Sequence, residues 1–200
     1  MRTVTGLFDD YTDASNAVTA LETAGVPSKD ISIVSNNSDD RHEKGSNAAE
    51  GAGTGAGIGA VVGGAGGLLT GLGLMAIPGV GPVVAAGWLA ATAAGVAAGA
   101  VAGGAAGGII GAMTESGVSE EDAHVYAEGV RRGGSLVTAK VDDSLAPQAD
   151  AILKQSNWVD PAQRRADYNE QGWTRFDDTL DPYGPDQIDQ ERNRYRQSNL

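Results

Sequence analysis

Apolar residues recur along residues 1–35 with two different periods. From Thr3 to Phe8 they stand at alternate positions (Val4, Phe8) of a short β-prone run, which predicts a strand. From Ala14 the spacing changes to three and four. Ala14, Ala17, Val18 and Leu21 make one helical stripe, opened by the capping run Asp9-Asp10-Tyr11-Thr12. Ala24-Gly25 closes that helix, with Gly25 just past its end and Pro27 following. Ile31-Ser32-Ile33-Val34 then reads as a second strand.

The same alternation of periods returns after residue 115. Ser119 caps a helix whose first turn is the acidic Glu120-Glu121-Asp122, at the positive end of the dipole. Its buried stripe is Ala123, Tyr126, Ala127 and Val130, and Gly133-Gly134 stops it. Ser135 to Val141 is a third strand. Asp142-Asp143-Ser144 leads into another helix that tolerates Pro147 in its first turn and turns Ala149, Ile152 and Leu153 inward. Trp158-Val159 is a short fourth strand. Joined, the two portions read β-α-β followed by α-β-α-β, which predicts an α+β, ferredoxin-like split sandwich with halves at 1–35 and 115–160.

The polar linker 36–50 and the tail 161–200 are the remaining hydrophilic pieces. The tail is expected to be extended, with its isolated aromatics (Tyr168, Trp173, Phe176, Tyr183, Tyr195) packing on the parent domain. Within it, Pro185 to Arg196 is expected to form a short helix with Ile188, Arg192 and Tyr195 on one side.

The stretch 51–114 obeys neither period. It contains no Asp, Glu, Lys, Arg or His and holds 21 of the 30 glycines. Glycine recurs every fourth residue at Gly51, Gly55, Gly59, Gly63, Gly67 and Gly71. After Ile77-Pro78-Gly79-Val80-Gly81-Pro82 the spacing resumes at Gly87, Ala91, Gly95, Gly99, Gly103, Gly107 and Gly111. Residues four apart share a helix face, so two helices are expected, each with a groove that admits a second backbone. These thirteen positions are the candidate packing and oligomerisation residues. The expected object is a helical hairpin turning at 77–82 and interrupting the sandwich.

That hairpin needs apolar surroundings, because glycine costs a helix about 1 kcal/mol per residue relative to alanine in water. Gly55 to Ile77 is long enough to cross a bilayer, while Val83 to Ala112 is a weaker span that enters alongside it. Lipid is the first reading. A soluble homo-oligomer with the hairpins as its core is the alternative, and a pore is a third. Thr54, Thr70, Thr92 and Thr114 are the only polar side chains the hairpin could turn toward a lumen.

Charge and composition narrow the chemistry. The net charge is −12, with the acidic excess spread over 1–50, 115–155 and 156–200 and no basic patch, which argues against nucleic acid as a partner. The absence of cysteine excludes disulfides and thiolate metal sites. Met1 to Gly6 has no apolar leader core, so the chain is expected to start in the cytoplasm. Asp39, Asp40, His42 and Glu43 match no metal spacing and read as a solvated loop. No Gly-x-Gly-x-x-Gly cradle and no nucleophile-base-acid set occurs. No enzyme, cofactor, metal or small-molecule substrate is therefore expected.

Two groups of motifs resemble a known family. Val4 to Phe8, Ala14 to Leu21, Gly25-Val26 and Asp30-Ile31-Ser32-Ile33-Val34 are similar to the opening of general stress protein 17M-like, heat-induced stress protein YflT-type domains. Ala123-His124-Val125-Tyr126, Gly133-Gly134-Ser135-Leu136-Val137 and Ala149-Asp150-Ala151-Ile152-Leu153 are similar to the closing half. The resemblance implies a bacterial, stress-related protein and supplies no catalytic residues. The combined expectation is a non-enzymatic protein that self-assembles through its glycine faces. It would sit at the bacterial inner membrane, with the α+β domain and both termini cytoplasmic, or alternatively in the cytoplasm.

Overall fold

The computed structural model describes residues 1–38, 73–77, 79–92 and 108–198. The first strand, β1 (Arg2–Phe8), leads to helix α1 (Tyr11–Thr23), capped where the Asp10 carboxylate accepts from Thr12 N–H. Gly25 takes φ +95° at its end, a conformation an L side chain rarely adopts. Strand β2 (Ile31–Asn36) follows, buried along its whole length. Two further strands, β3 (Gly73–Ile77) and β4 (Gly81–Gly87), come out of the glycine-rich stretch. Residues 88–92 are helical. The chain then gives α2 (Ile109–Glu115), α3 (Glu120–Arg131), β5 (Ser135–Val141), α4 (Ala146–Gln155), α5 (Pro161–Glu170) and α6 (Pro185–Ser198).

The strands form one sheet in the order β1-β5-β2-β4-β3. Strand β5 lies antiparallel between β1 and β2, so α1 connects two parallel strands across a gap that β5 fills. Val159, expected in a fourth strand, makes only a single antiparallel bridge to Leu7 on the far side of β1. Side chains alternate across the sheet and build a core on each face. On one face Ile31, Ile33, Val137 and Ala139 pack under α1 and α4, through Ala17, Val18, Leu21, Ala149 and Leu153. On the other, Leu7, Val34, Ala85 and Leu136 pack under α2 and α3, through Met113, Tyr126, Ala127 and Val130. The α+β class is as expected.

The middle of the chain is not. The run to Ile77 was expected to be the end of one helix and the run from Val83 the start of another. Instead 73–77 and 81–87 are paired strands, from Gly73↔Ala85 to Ile77↔Gly81, and β4 adds to β2 from Ser32↔Gly87 to Asn36↔Val83. The physical reason is competition for backbone hydrogen bonds. β2 would otherwise leave one edge open to water, and Val83-Val84-Ala85-Ala86 is uncharged, partly β-branched and small enough to lie against it. The turn at 77–82 does exist, but it joins strands. Val80 N–H donates to the Ile77 carbonyl at 3.0 Å, and Gly79 takes φ +73° where a type II turn needs glycine. The turn also faces inward: a Cβ on Gly79 would lie 2.5 Å from the Asp178 Cα, and one on Gly81 2.7 Å from the Pro182 Cβ.

The tail 161–200 was expected to be extended apart from a short helix at Pro185 to Arg196; that helix forms as α6, but α5 is a second one, and both fold back onto the domain. Tyr168 and Ile188 are fully buried, and Phe176 and Tyr195 nearly so. The expectation that the aromatics pack on the parent domain therefore holds while the extended backbone does not.

Gly87 and Gly111 were expected on one helix face and now make opposite predictions. At Gly87, φ is +90° and a Cβ would overlap the Ile31 carbonyl; at Gly111, in α2, a Cβ would meet nothing within 4 Å. In urea unfolding, Gly87→Ala should cost at least about 2 kcal/mol. Gly111→Ala should be neutral or stabilising by up to about 1 kcal/mol.

Candidate functional site

Of the thirteen packing positions, the structure describes three, and it does not bring them together on one helix. Gly87 ends strand β4, Ala91 lies in the half-buried helical turn 88–92, and Gly111 lies in α2. Gly51, Gly55, Gly59, Gly63, Gly67, Gly71, Gly95, Gly99, Gly103 and Gly107 lie outside the described residues, as do Asp39, Asp40, His42 and Glu43.

The densest concentration of chemistry is elsewhere, where the end of α3 meets the tail. Glu128 is fully buried and faces the last turn of its own helix. Arg132 Nε donates to Glu128 Oε1 at 2.7 Å and Arg131 Nη1 donates to the same oxygen at 3.1 Å, the i+4 and i+3 spacings of one helix face. Arg132 Nη1 reaches out of the helix to Glu191 Oε1 in α6 at 2.8 Å and to Gln171 Oε1 at 2.6 Å. A second arginine does the same for α5. Arg164 grips both oxygens of Asp9, at 2.7 and 2.8 Å, in the bidentate geometry that suits a guanidinium. Aromatic rings complete the packing: Arg132 stacks 4.1 Å from the Tyr168 centroid and Arg164 3.6 Å from that of Tyr195.

Local sequence places these groups. Arg132 caps α3, and Gly133 turns the chain at φ +103° under the Ile188 side chain, which would overlap any Cβ there. Asp160 opens α5, accepting from the N–H groups of Ala162 and Gln163, with Pro161 at the first helical position. Arg192 Nη2 donates to the Gly133 carbonyl, tying α6 to the same turn.

The electrostatics follow from burial against partners. Burial alone would lower the pKa of Arg132, yet its hydrogen bonds to Glu191 and Glu128 raise it on balance. Arg164 behaves alike, with burial opposed by Asp9. The Tyr168 phenol is pushed up by complete burial, against the pull of Arg164 and Arg132. Its hydroxyl and the Arg131 Nε are buried without a well-formed hydrogen bond. Each of these arginines faces a carboxylate: Arg131 and Arg132 share Glu128, and Arg164 holds Asp9. A narrow crevice bordered by Asp9, Arg132, Gly134, Arg164, Tyr168 and Glu191 opens into it, and the guanidinium groups of Arg132 and Arg164 in its walls already face carboxylates. The chemistry this cluster performs is fastening: it fixes α5 and α6 to α3 and the end of β1.

Sequence reading passed over this cluster because its members lie far apart in the chain. One signal was available in the spacing Glu128, Arg131 and Arg132 on a single helix face beside buried Tyr126 and Val130. Among the described residues, no group of three His, Cys, Asp or Glu is placed to hold a metal.

Comparison with known proteins gives one family. The model of the heat induced stress protein YflT domain matches residues 3–79. That span includes the first of the two groups of motifs on which the resemblance rested and runs on through β3 to Gly79; the second group, from Ala123 to Leu153, lies outside it. No curated protein and no solved structure matches the chain.

Removing one member of the buried cluster strands the others. Glu128→Leu leaves two arginines without their shared carboxylate and should cost about 3–5 kcal/mol in chemical denaturation. Asp150→Asn, which breaks the half-exposed pair with Lys154 at 2.7 Å, should change stability by no more than about 0.5 kcal/mol.

Proposed function

We propose that this chain, with residues 3–79 matching a heat induced stress domain, is a non-enzymatic, stress-related protein that assembles with its own copies without crossing a bilayer. The observation that carries the second half of this reading is the position of the turn at 77–82. As a membrane hairpin, that turn would be the distal tip, a full bilayer thickness from the sandwich. Here Val80 is fully buried, Ile77 nearly so, and Phe176 and Pro182 lie against the turn's glycines.

Anchoring the turn on the domain changes the lengths available. Ser38 and Gly73 both belong to the domain, with 34 residues between them. A single crossing takes about 20 residues, so a segment that leaves and rejoins one side needs about 40. The second segment, between Thr92 and Gly108, has 15 residues. Leu89, Ala90 and Ile109 on either side of it are buried in one core. No described helix is long and apolar enough to cross a membrane.

The uncharged glycine segments still need company that is not water. Their four-residue spacing suits close backbone contact, and a sister chain supplies it. Stress association comes from the family match, and the absence of enzymatic activity is supported by the structural role of the buried charged cluster at the end of α3. Cytoplasmic localisation is part of the same proposal.

The test is extraction without detergent, followed by light scattering. The protein should appear in the detergent-free supernatant and elute well above its monomer mass of 20.2 kDa. Changing Gly63, Gly67, Gly99 and Gly103 together to leucine should break the particle up while the circular dichroism of the α+β domain persists. Recovery only from the membrane pellet, or a monomeric wild type, would overturn the proposal.

A further inference from the structure

Strand β3 ends the sheet, and its outer side has no partner strand among the described residues. Two independent contacts fix which groups face outward. Pro82 turns its carbonyl toward β2, where it accepts from Asn37 N–H at 2.9 Å. Its ring nitrogen, which has no hydrogen to give, points to the same side. Its cross-strand partner Ala76 is therefore a non-hydrogen-bonded neighbour and directs its own N–H and C=O away from β4. The Ile77 carbonyl, in contrast, turns inward to Val80 N–H. Alternation then gives Met75 inward and Leu74 outward. Leu74 and Ala76 together present two donors and two acceptors along the edge, and the side chains of both are exposed, Leu74 by 50%.

Edge strands are usually protected by a charge, a proline or a bulge. Gly73-Leu74-Met75-Ala76-Ile77 has none of these, in a chain whose net charge is −12. The opposite edge is different: β1 begins with Arg2 and is bridged by Val159. Pro82, beside Ala76 on the same face, is exposed too, so an uncovered apolar strip runs beyond the layer made by α1 and α4.

We infer that β3 pairs antiparallel with β3 of a second copy, about a two-fold axis at Met75, to make one continuous ten-stranded sheet. The register is dictated by the outward groups. With the axis at Met75, Leu74 faces Ala76 of the other copy, and each of these two pairs exchanges two hydrogen bonds. Leu74 and Ala76 of both copies then make one apolar row on a single face. An acidic chain meets its copy with least repulsion at this edge, since the strand carries no charge. The inference rests on the self-assembly proposed above and names a contact for it outside the glycine segments.

Two variants test it. The chain has no natural cysteine, and Met75 would form a non-hydrogen-bonded pair with itself at about 4.5 Å between Cα atoms, within reach of a disulfide. Met75→Cys should therefore cross-link to dimer under mild oxidation, whereas Asp143→Cys, on an exposed turn, should not. Ala76→Pro removes an outward N–H that pairs with no strand among the described residues. It should leave the circular dichroism and melting midpoint unchanged while the particle falls to half its wild-type mass or less. Met75→Cys that stays uncross-linked, together with an unchanged particle for Ala76→Pro, would overturn edge pairing while leaving assembly through the glycine segments standing. Wild-type protein that is monomeric would overturn both. Cross-linking of Asp143→Cys to the same extent would reduce the Met75→Cys result to random collision and count against the pairing.

Discussion

The ladder between β2 and β4 decides the shape of the rest of this molecule. Five residue pairs, from Ser32↔Gly87 to Asn36↔Val83, draw the middle of the glycine-rich stretch into the sheet. Ser32 Oγ adds a bond to the Ala86 carbonyl at 2.7 Å, and Gly87 permits an approach to Ile31 that a methyl group would block. Once that ladder forms, the turn at 77–82 is held on the domain, and the glycine segments on either side begin and end there. The ladder thereby sets how far those segments can reach.

The second organising device is the charged cluster at the end of α3. Buried ion pairs add little net stability, since desolvation offsets most of their Coulomb attraction. Their consequence here is positional. Arg132 can satisfy Glu128, Gln171 and Glu191 together only when α6 lies across Gly133. Arg164 can reach both Asp9 oxygens only when α5 lies beside the end of β1. The tail is mostly hydrophilic and buries few apolar groups, so this set of directional bonds selects one docked arrangement. Docking in turn sets Phe176 and Pro182 against the β3-β4 turn, which links the two devices.

The outer halves of the fold were legible because their signals are local. Asp10 and Ser119 cap the helices that their side chains suggested, Gly25 and Gly133 take the positive φ their positions required, and Ser135 to Val141 forms β5 with the expected bounds. The middle was misread because Leu74 to Ile77 and Val83 to Ala86 are short apolar runs, and period alone cannot separate a buried strand from a helix. What decides between them is the open edge of β2, a partner roughly fifty residues away that no local pattern shows. The cluster at Arg132 escaped for the same reason: Asp9, Glu128, Arg164 and Glu191 come from four separate elements. The isolated tail aromatics were the visible trace of that docking, and they do pack on the domain.

Amide hydrogen exchange across residues 79–92, in buffer without detergent, tests the β2-β4 ladder most directly. The amides of Val84 and Ala86, which face β2, should exchange as slowly as those of Val34 in β2 and Val137 in β5, because all four lie within one cooperative sheet. Rapid exchange at Val84 and Ala86 beside slow exchange at Val34 and Val137 would show that the glycine-rich stretch does not join the sheet, and the account built on that ladder would fail.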